Sequence, residues 1–236
     1  MFKTISCIRN LSDGSIVMKT KIISLITLFC FAVADRIDAQ TLNWGNVVGE
    51  PIVTSEGNPI DNTFVFQLGA FDAGFVPEFS NANQWLQNWR IFDTAAYDST
   101  FGFSTATAYI RDGVTSAEPG ASTLSFAGLD AYIWIRNADD AVEGSEWLLT
   151  RASTWKFPIT GGDCCDTTVL EWSVSDLDST TTPIIGGHNG VVGPGVFTPP
   201  SSTTGLQTHT FIPEPSSVVC AILASMLVVM RRRRNH

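Results

Sequence analysis

The chain has 236 residues, of which 44% are hydrophobic and 16% are charged, and its formal net charge is −9 at pH 7. The net charge of residues 40–212 is more negative, at −14, because this region contains five Lys and Arg and nineteen Asp and Glu. Such a surface repels nucleic-acid phosphates, which excludes nucleic acid as a partner. A region of this size is enough for one domain with a real core and too small for two.

The first predicted element is a secretory signal peptide. Lys19 and Lys21 precede an uncharged, mostly apolar run over residues 22–34, which is typical of the basic and hydrophobic regions of such a signal. Residues 1–17 are polar and unlike any targeting signal, so Met18 is the expected start of translation. The Sec translocon is the expected partner for export.

The signal peptide has two candidate cleavage points, after Ala34 and after Ala39. We favour Ala39, because cleavage after Ala34 leaves two charged residues at the new N-terminus. Residues 1–39 are therefore assigned to the signal region, with the signal peptide itself starting at Met18.

The middle region, residues 40–179, is predicted to be a mainly β single domain of the β-sandwich or jelly-roll type. Residues at positions 131, 133 and 135 alternate with Tyr132 and Trp134, which indicates a strand that is covered on both faces. Short β-rich runs are separated by Gly- and Pro-containing turns. The predicted strands are 63–68, 104–110, 131–135, 147–149 and 169–174.

One short helix is predicted within this domain, over residues 82–92. Its large apolar residues Trp85, Trp89 and Phe92 follow the i, i+4, i+7 spacing of one helix face. Ser80 or Asn81 is the expected N-cap, since both side chains accept hydrogen bonds from free backbone N–H groups.

Cysteine is sparse in the domain, where only the adjacent pair Cys164 and Cys165 occurs. Three states stay open for this pair: a vicinal disulfide, two free thiols, or a bond to another molecule. Export makes oxidation plausible, and a local structural turn is favoured over a redox role.

Residues 180–212 are rich in Gly, Pro, Ser and Thr and contain few large apolar residues. This composition predicts a flexible stalk that retains one short strand at 190–197.

The C-terminal segment, residues 213–236, combines three features in order. Pro213-Glu214-Pro215 cannot continue a helix or a sheet, and an uncharged apolar run follows over residues 216–230. As a helix this run spans about 22 Å, a short transmembrane span. The arginines that follow hold this end on the cytoplasmic side. They are Arg231, Arg232, Arg233 and Arg234.

This ending resembles the PEP-CTERM sorting signal of exported bacterial proteins, which consists of a Pro-Glu-Pro triplet, a short transmembrane helix and a basic cluster. The resemblance implies recognition and cleavage near the triplet by an exosortase, a membrane-embedded enzyme, and a link to exopolysaccharide or the cell surface. An ordinary tail anchor is the alternative. The segments 66–89 and 131–158 resemble a group of PEP-CTERM proteins, which adds a family label and no mechanism.

Two acidic clusters are candidate calcium sites, because closely spaced loop carboxylates supply the oxygen ligands that calcium prefers. A polar turn on an acidic surface is the favoured interpretation of both clusters. The first contains Asp139, Asp140 and Glu143, and the second contains Asp176 and Asp178.

Tryptophan offers a second possible site, because exposed rings stack on sugars whereas buried rings fill cores. At least four of the seven tryptophans are expected in the core. Trp155, beside Lys156 and Pro158, is the expected exposed ring and the candidate for sugar stacking.

Catalytic motifs are missing from the sequence. His188 and His209, the only histidines before the last residue, fall in the predicted stalk and are expected to be solvated. No nucleophile elbow and no His-Glu-x-x-His motif occurs. The nineteen carboxylates are enough to supply a glycosidase-like catalytic pair, but the sequence does not identify its two members.

The favoured hypothesis is a non-enzymatic, exported surface or matrix protein without a required cofactor. It is held in the inner membrane with its domain in the periplasm, and then passes to the cell surface or medium. A carbohydrate-binding module for exopolysaccharide is the alternative, and a polysaccharide hydrolase is a further one.

Overall fold

A computed structural model describes residues 39–161, 168–198 and 205–212. The fold in these residues is mainly β. The strands are β1 Ala39–Gly45, β2 Ile52–Val53, β3 Val65–Phe71, β4 Trp89–Ala95, β5 Tyr97–Asp98, β6 Phe103–Arg111, β7 Thr115–Ser116, β8 Tyr132–Arg136, β9 Glu146–Thr150, β10 Leu170–Ser173, β11 Gly187–His188, β12 Val191–Val192, β13 Leu206–Gln207 and β14 His209–Thr210. A 3₁₀ helix, Phe79–Gln84, leads into the short helix α1, Trp85–Asn88, and a second 3₁₀ helix is Val174–Asp176.

These strands form three sheets. Sheet A has the order β10-β1-β6-β5, with β7 also paired to β6. Sheet B has the order β12-β11-β13-β2. Sheet C has the order β14-β9-β8-β3-β4, and all its neighbours are antiparallel.

All five predicted strands occur, with ends shifted by one to three residues. They are β3, β6, β8, β9 and β10. The sequence did not predict β1, which lies at the centre of sheet A. This strand pairs antiparallel with β6 over seven residue pairs and parallel with β10 over four.

The two-faced burial predicted for β8 is confirmed. Ile133 and Ile135 belong to a buried cluster that also contains Leu42 and Ile110 of sheet A. Tyr132 and Trp134 belong to a second buried cluster on the other face of sheet C. Sheets A and C therefore share one apolar core, and sheet C is covered on both faces.

The second cluster is dominated by indole rings. The Trp134 ring centroid lies 5.2 Å from that of Trp147, 5.4 Å from Trp89 and 5.9 Å from Trp85, each in an edge-to-face arrangement. Such pairs contribute about 0.5–1.5 kcal/mol beyond the apolar area that they bury. Trp85 comes from α1, so the helix is held on sheet C mainly through this cluster.

The predicted helix 82–92 is wrong beyond Asn88. Trp89 has extended backbone angles (φ −85°, ψ 128°) and starts β4. On a strand, residues three apart point to opposite faces, so Trp89 packs in the second cluster and Phe92 in the first. Pairing of β4 with β3 therefore overrides the helical spacing.

The predicted N-cap is also wrong. Glu78 is the cap of the first 3₁₀ helix, and Asn81 serves as its third helical residue. The Glu78 side chain accepts from the backbone of that residue, while the Asn81 side chain accepts from the Glu78 N–H at 2.9 Å. This is a capping box that begins two or three residues earlier than expected.

The stalk prediction for residues 180–212 is wrong in the described part of that range. Its strands pair with the rest of the fold, β13 with β2 and β14 with β9. Ile185, Leu206 and Phe211 are buried. A Cβ added at Gly186 would lie 2.8 Å from the Gln207 carbonyl oxygen, so glycine here permits close packing of backbone rather than flexibility.

Several predicted elements lie outside the described residues. These are the signal peptide up to residue 38, the pair Cys164 and Cys165, and the C-terminal apolar run 216–230. Within the described ranges, no helix is long and apolar enough to span a bilayer.

Candidate functional site

The sorting-signal residues lie outside the described residues, as does Ala34. These residues are Pro213, Glu214, Pro215, Arg231, Arg232, Arg233 and Arg234. The structure does describe the chain up to Ile212. Phe211 is buried, and its backbone N–H donates to the Ser145 carbonyl oxygen at 2.7 Å. The folded region therefore continues to within two residues of Pro213.

Ala39, the favoured cleavage position, is the first residue of β1 and pairs with Arg111 of β6. The next residue, Gln40, is buried and donates its side-chain N–H to the Thr168 carbonyl oxygen at 3.3 Å. Cleavage after either Ala34 or Ala39 consequently leaves the buried part of β1 in the mature chain.

The first acidic cluster lies in the loop between β8 and β9. Asp139 pairs with Arg136 at 2.9 Å, and Arg136 also donates to the Gln67 side-chain oxygen at 2.8 Å. Asp140 and Glu143 are exposed. One of the three carboxylates is therefore already engaged by Arg136.

The second acidic cluster serves the local backbone. Asp176 Oδ2 accepts from the Ser173 N–H at 2.9 Å and from Trp155 Nε1 at 3.1 Å. Asp178 Oδ1 accepts from the Thr180 N–H at 2.8 Å, and hydrogen bonds from Thr180 lower the pKa of Asp178. In the described ranges no three His, Cys, Asp or Glu side chains are grouped to hold a metal ion.

The expectation that Trp155 is exposed is wrong, since its exposed fraction is 1%. Its indole N–H is bound by Asp176, and its ring stacks on Trp172 with centroids 6.3 Å apart. All seven tryptophans are buried, which agrees with the expectation of at least four in the core. Apolar area therefore decides their position, and no tryptophan ring is free to stack on a sugar.

The expectation that His188 and His209 are solvated is also wrong, because both are buried. His188 Nδ1 lies 2.6 Å from Thr150 Oγ1, and its Nε2 lies 3.1 Å from the Asp178 carbonyl oxygen. The Thr150–His188 pair has the atoms of a nucleophile and a base, but burial of both side chains denies a substrate access.

His209 fills a packed site between strands. Its Nδ1 donates to the Pro194 carbonyl oxygen at 2.8 Å, and its ring stacks on Phe197 with centroids 4.2 Å apart. Its Nε2 is buried without a hydrogen-bond partner in the described residues. Burial lowers the pKa of both histidines, although nearby carbonyls and the Asp178 and Glu146 carboxylates partly offset this effect.

These two histidines predict a loss of stability in mild acid. Their pKa is lower in the folded state than the unfolded value near 6.5, so protons bind the unfolded chain more tightly. Stability is full above pH 6.5 and falls as the pH drops below it, by at most about 1.4 kcal/mol per pH unit for each histidine. Urea unfolding at pH 7.5 and pH 5.5 measures this effect.

The control is the double variant His188→Gln, His209→Gln, in which the free energy of unfolding should change less between the two pH values. Carboxylates such as Asp61 and Asp178 stay ionised across this window, because hydrogen bonds from Thr63 and Thr180 lower their pKa. An unfolding midpoint of the unmodified protein that does not change between the two pH values contradicts the prediction.

A polar junction around Glu146 was missed by the sequence reasoning. The Glu146 carboxylate accepts from Ser55 N–H at 3.1 Å, Ser55 Oγ at 2.9 Å and Thr208 Oγ1 at 2.6 Å. Thr210 Oγ1 in turn donates to Ser55 Oγ at 2.9 Å. These partners are 91 and 62 residues away from Glu146, so no local sequence pattern reveals them.

The Glu146 junction joins β9 to the turn after β2 and to β13 and β14. It contains a serine hydroxyl and a carboxylate, but the Ser55 hydroxyl donates to the Glu146 carboxylate. The hydrogen bonds of His188 and His209 go to Thr150 and to backbone carbonyl oxygens, so neither histidine is bonded to Ser55. This arrangement holds strands together rather than activating a nucleophile. No protein-family model, no curated protein and no solved structure matches the chain.

Proposed function

We propose that this chain is an exported, non-enzymatic surface or matrix protein that is held transiently in the inner membrane and processed by an exosortase. The observation that carries this proposal is the order of the C-terminal features. Pro213-Glu214-Pro215 precedes the uncharged run 216–230, which ends at four consecutive arginines. The apolar run favours the bilayer, and the arginines oppose complete transfer.

The described domain supports a role without catalysis. Its two histidines are buried, and its most connected carboxylate, Glu146, is engaged by three donors from neighbouring strands. The carbohydrate-binding alternative loses its main support, because the seven tryptophans are buried.

For the fold we propose a β-sandwich or jelly-roll arrangement. Its support is the shared core, in which Leu42 and Ile110 of sheet A pack with Phe66 and Ile133 of sheet C. Many cell-surface domains share the sandwich architecture.

The proposal predicts that processing depends on the triplet. A full-length chain in which Pro213, Glu214 and Pro215 are all replaced by alanine should stay uncleaved and membrane-associated in its native cells. The unmodified chain should lose its tail and leave the membrane fraction. Immunoblotting of membrane and soluble fractions with an antibody against the domain measures the two forms.

The matched control replaces Ser201, Ser202 and Thr203 by alanine, a triplet of the same length twelve residues upstream. Cleavage in this control should be unchanged. Normal processing of the Pro-Glu-Pro variant would remove the exosortase from the proposal, and a full-length chain found entirely in the soluble fraction would remove the membrane anchor.

A further inference from the structure

The distance between the folded domain and the predicted anchor is short. Ile212 is the last residue of the described fold, and only Pro213-Glu214-Pro215 separates it from the apolar run that starts at Ser216. Fully extended, this connection reaches at most about 14 Å. If the apolar run lies in a bilayer, the surface around Ile212 must lie within that distance of the lipid.

The surface around Ile212 is apolar. Its side chain is 47% exposed, and that of Val142 is 54% exposed. Val142 lies in the turn whose Gly144 N–H donates to the Phe211 carbonyl oxygen at 3.4 Å, so it is close to the exit of the chain. The partly buried Phe79 ring lies against Phe211 with centroids 5.2 Å apart. We call Phe79, Val142 and Ile212 the exit surface.

The exit surface is well supported from beneath. Phe211 packs on Trp147 with ring centroids 5.8 Å apart, and Phe211 N–H is bound by the Ser145 carbonyl. The Val142 turn is closed by a hydrogen bond from Ser145 N–H to the Val142 carbonyl oxygen at 3.1 Å. These contacts hold apolar side chains in an exposed position without large freedom to fold back.

The charges beside the exit surface select the kind of lipid. Asp140 and Glu143 flank Val142 and are exposed, and the nearest cation in the loop region, Arg136, pairs with Asp139. Anionic headgroups would therefore be repelled, whereas zwitterionic headgroups would not. The side chains themselves suit the interface between headgroups and acyl chains.

We propose that the exit surface rests on the zwitterionic lipid surface of the membrane while the C-terminal run is anchored. This inference rests on the membrane anchor of the proposed function. The short connection supplies the high local concentration that such a small apolar patch requires. The domain is thus held in one orientation, with the exit surface toward the lipid.

The test uses the full-length chain in phosphatidylcholine vesicles. The photoreactive amino acid p-benzoylphenylalanine is placed, in separate samples, at Val142, at Val48 and at Leu223 within the apolar run. After illumination, mass spectrometry measures covalent lipid adducts at each position. Circular dichroism checks that each chain is folded.

Val48 is the matched control, because it is 65% exposed and lies in a different turn, between β1 and β2. The turn that carries it precedes Pro51, whose carbonyl oxygen accepts from Leu206 N–H at 2.8 Å. Leu206 precedes Ile212 by six residues, which span at most about 20 Å at 3.3 Å per residue. We expect about tenfold more adduct at Val142 than at Val48, given the short tether.

The outcomes separate the inference from the anchor. Adducts at Leu223 and Val142 but not at Val48 support the inference. Adducts at Leu223 with none at Val142, or equal yields at Val142 and Val48, overturn the orientation while the anchor stands. No adduct at Leu223 overturns the anchor and the inference with it. Replacing half of the lipid by phosphatidylglycerol should lower the yield at Val142, and an increase there would overturn the proposed lipid preference.

Discussion

Replacing Trp134 by alanine should lower the free energy of unfolding by about 4 kcal/mol, within the range for large aromatic residues in a core. Trp134 is fully buried and has three other indoles packed edge-to-face around it. The guanidinium of Arg136 also lies 4.2 Å from its ring centroid. Alanine would leave a cavity where sheet C meets α1.

Phenylalanine substitutions refine this prediction. Trp134 Nε1 is buried without a hydrogen-bond partner in the described residues, so Trp134→Phe removes an unsatisfied donor along with some apolar area. Trp85 Nε1 instead donates to Asn81 Oδ1 at 2.8 Å. We therefore expect Trp85→Phe to cost about 1 kcal/mol more than Trp134→Phe.

Urea unfolding followed by far-ultraviolet circular dichroism measures these differences on the full-length protein in mild detergent. Equal midpoints for the Trp134→Ala variant and the unmodified protein would mean that the indole cluster does not hold the fold. A larger cost for Trp134→Phe than for Trp85→Phe would mean that the Trp134 N–H has a partner.

The second large effect is expected at the Glu146 junction. Glu146→Ala leaves the Ser55 N–H and the Ser55 hydroxyl without their acceptor, and leaves the Thr208 hydroxyl only the Val53 carbonyl oxygen at 3.4 Å. Ser55 and Thr208 are buried, so we expect a loss of about 3 kcal/mol in the free energy of unfolding. Glu146→Gln keeps one acceptor oxygen and should lose about half as much.

Glu143→Ala is the matched control, because Glu143 is an exposed glutamate three residues earlier. Its expected effect is within about 0.5 kcal/mol of zero. Hydrogen exchange adds a local readout, since the loss of Glu146 should speed exchange in β2, β13 and β14 before the rest of the fold. If the Glu146→Ala and Glu143→Ala variants unfold at the same urea concentration, the Glu146 junction does not contribute to the stability of the fold.

Five strands of the central domain could be predicted because their signal is local. In β3 the buried residues Phe66 and Leu68 alternate along the chain, and in β8 the two alternating sets enter two different clusters. A period of two depends only on consecutive residues, so one sequence is enough to detect it.

The segment 82–92 shows where local spacing fails. The sequence spacing places Trp85, Trp89 and Phe92 on one face of a helix. In the structure only Trp85 is helical, and the other two residues lie in β4. What decides is pairing of β4 with β3, a strand that lies about twenty residues earlier and offers backbone hydrogen bonds to Trp89–Ala95. Propensity is a weak prior against such tertiary pairing.

The candidate site residues were also mispredicted where their position depends on residues far away in the sequence. Trp155 was expected to be exposed because of its charged and Pro neighbours, but its position depends on Asp176 and Trp172, which are twenty-one and seventeen residues away. His209 was expected to be solvated because Gly, Pro and Thr surround it. Its position instead depends on Pro194, Phe197 and the strand pairing of β14 with β9.

By itself, the sequence determined the mainly β character of the domain, five of its strands and the burial of both faces of β8. The tertiary structure alone decided that β1 is central, that Trp89 is in a strand, that the Gly- and Pro-rich segment packs on the sheets, and that Glu146 joins sheet C to sheet B. The first set depends on neighbours along the chain. The second depends on partners tens of residues away, whose apolar area and hydrogen bonds outweigh local preference.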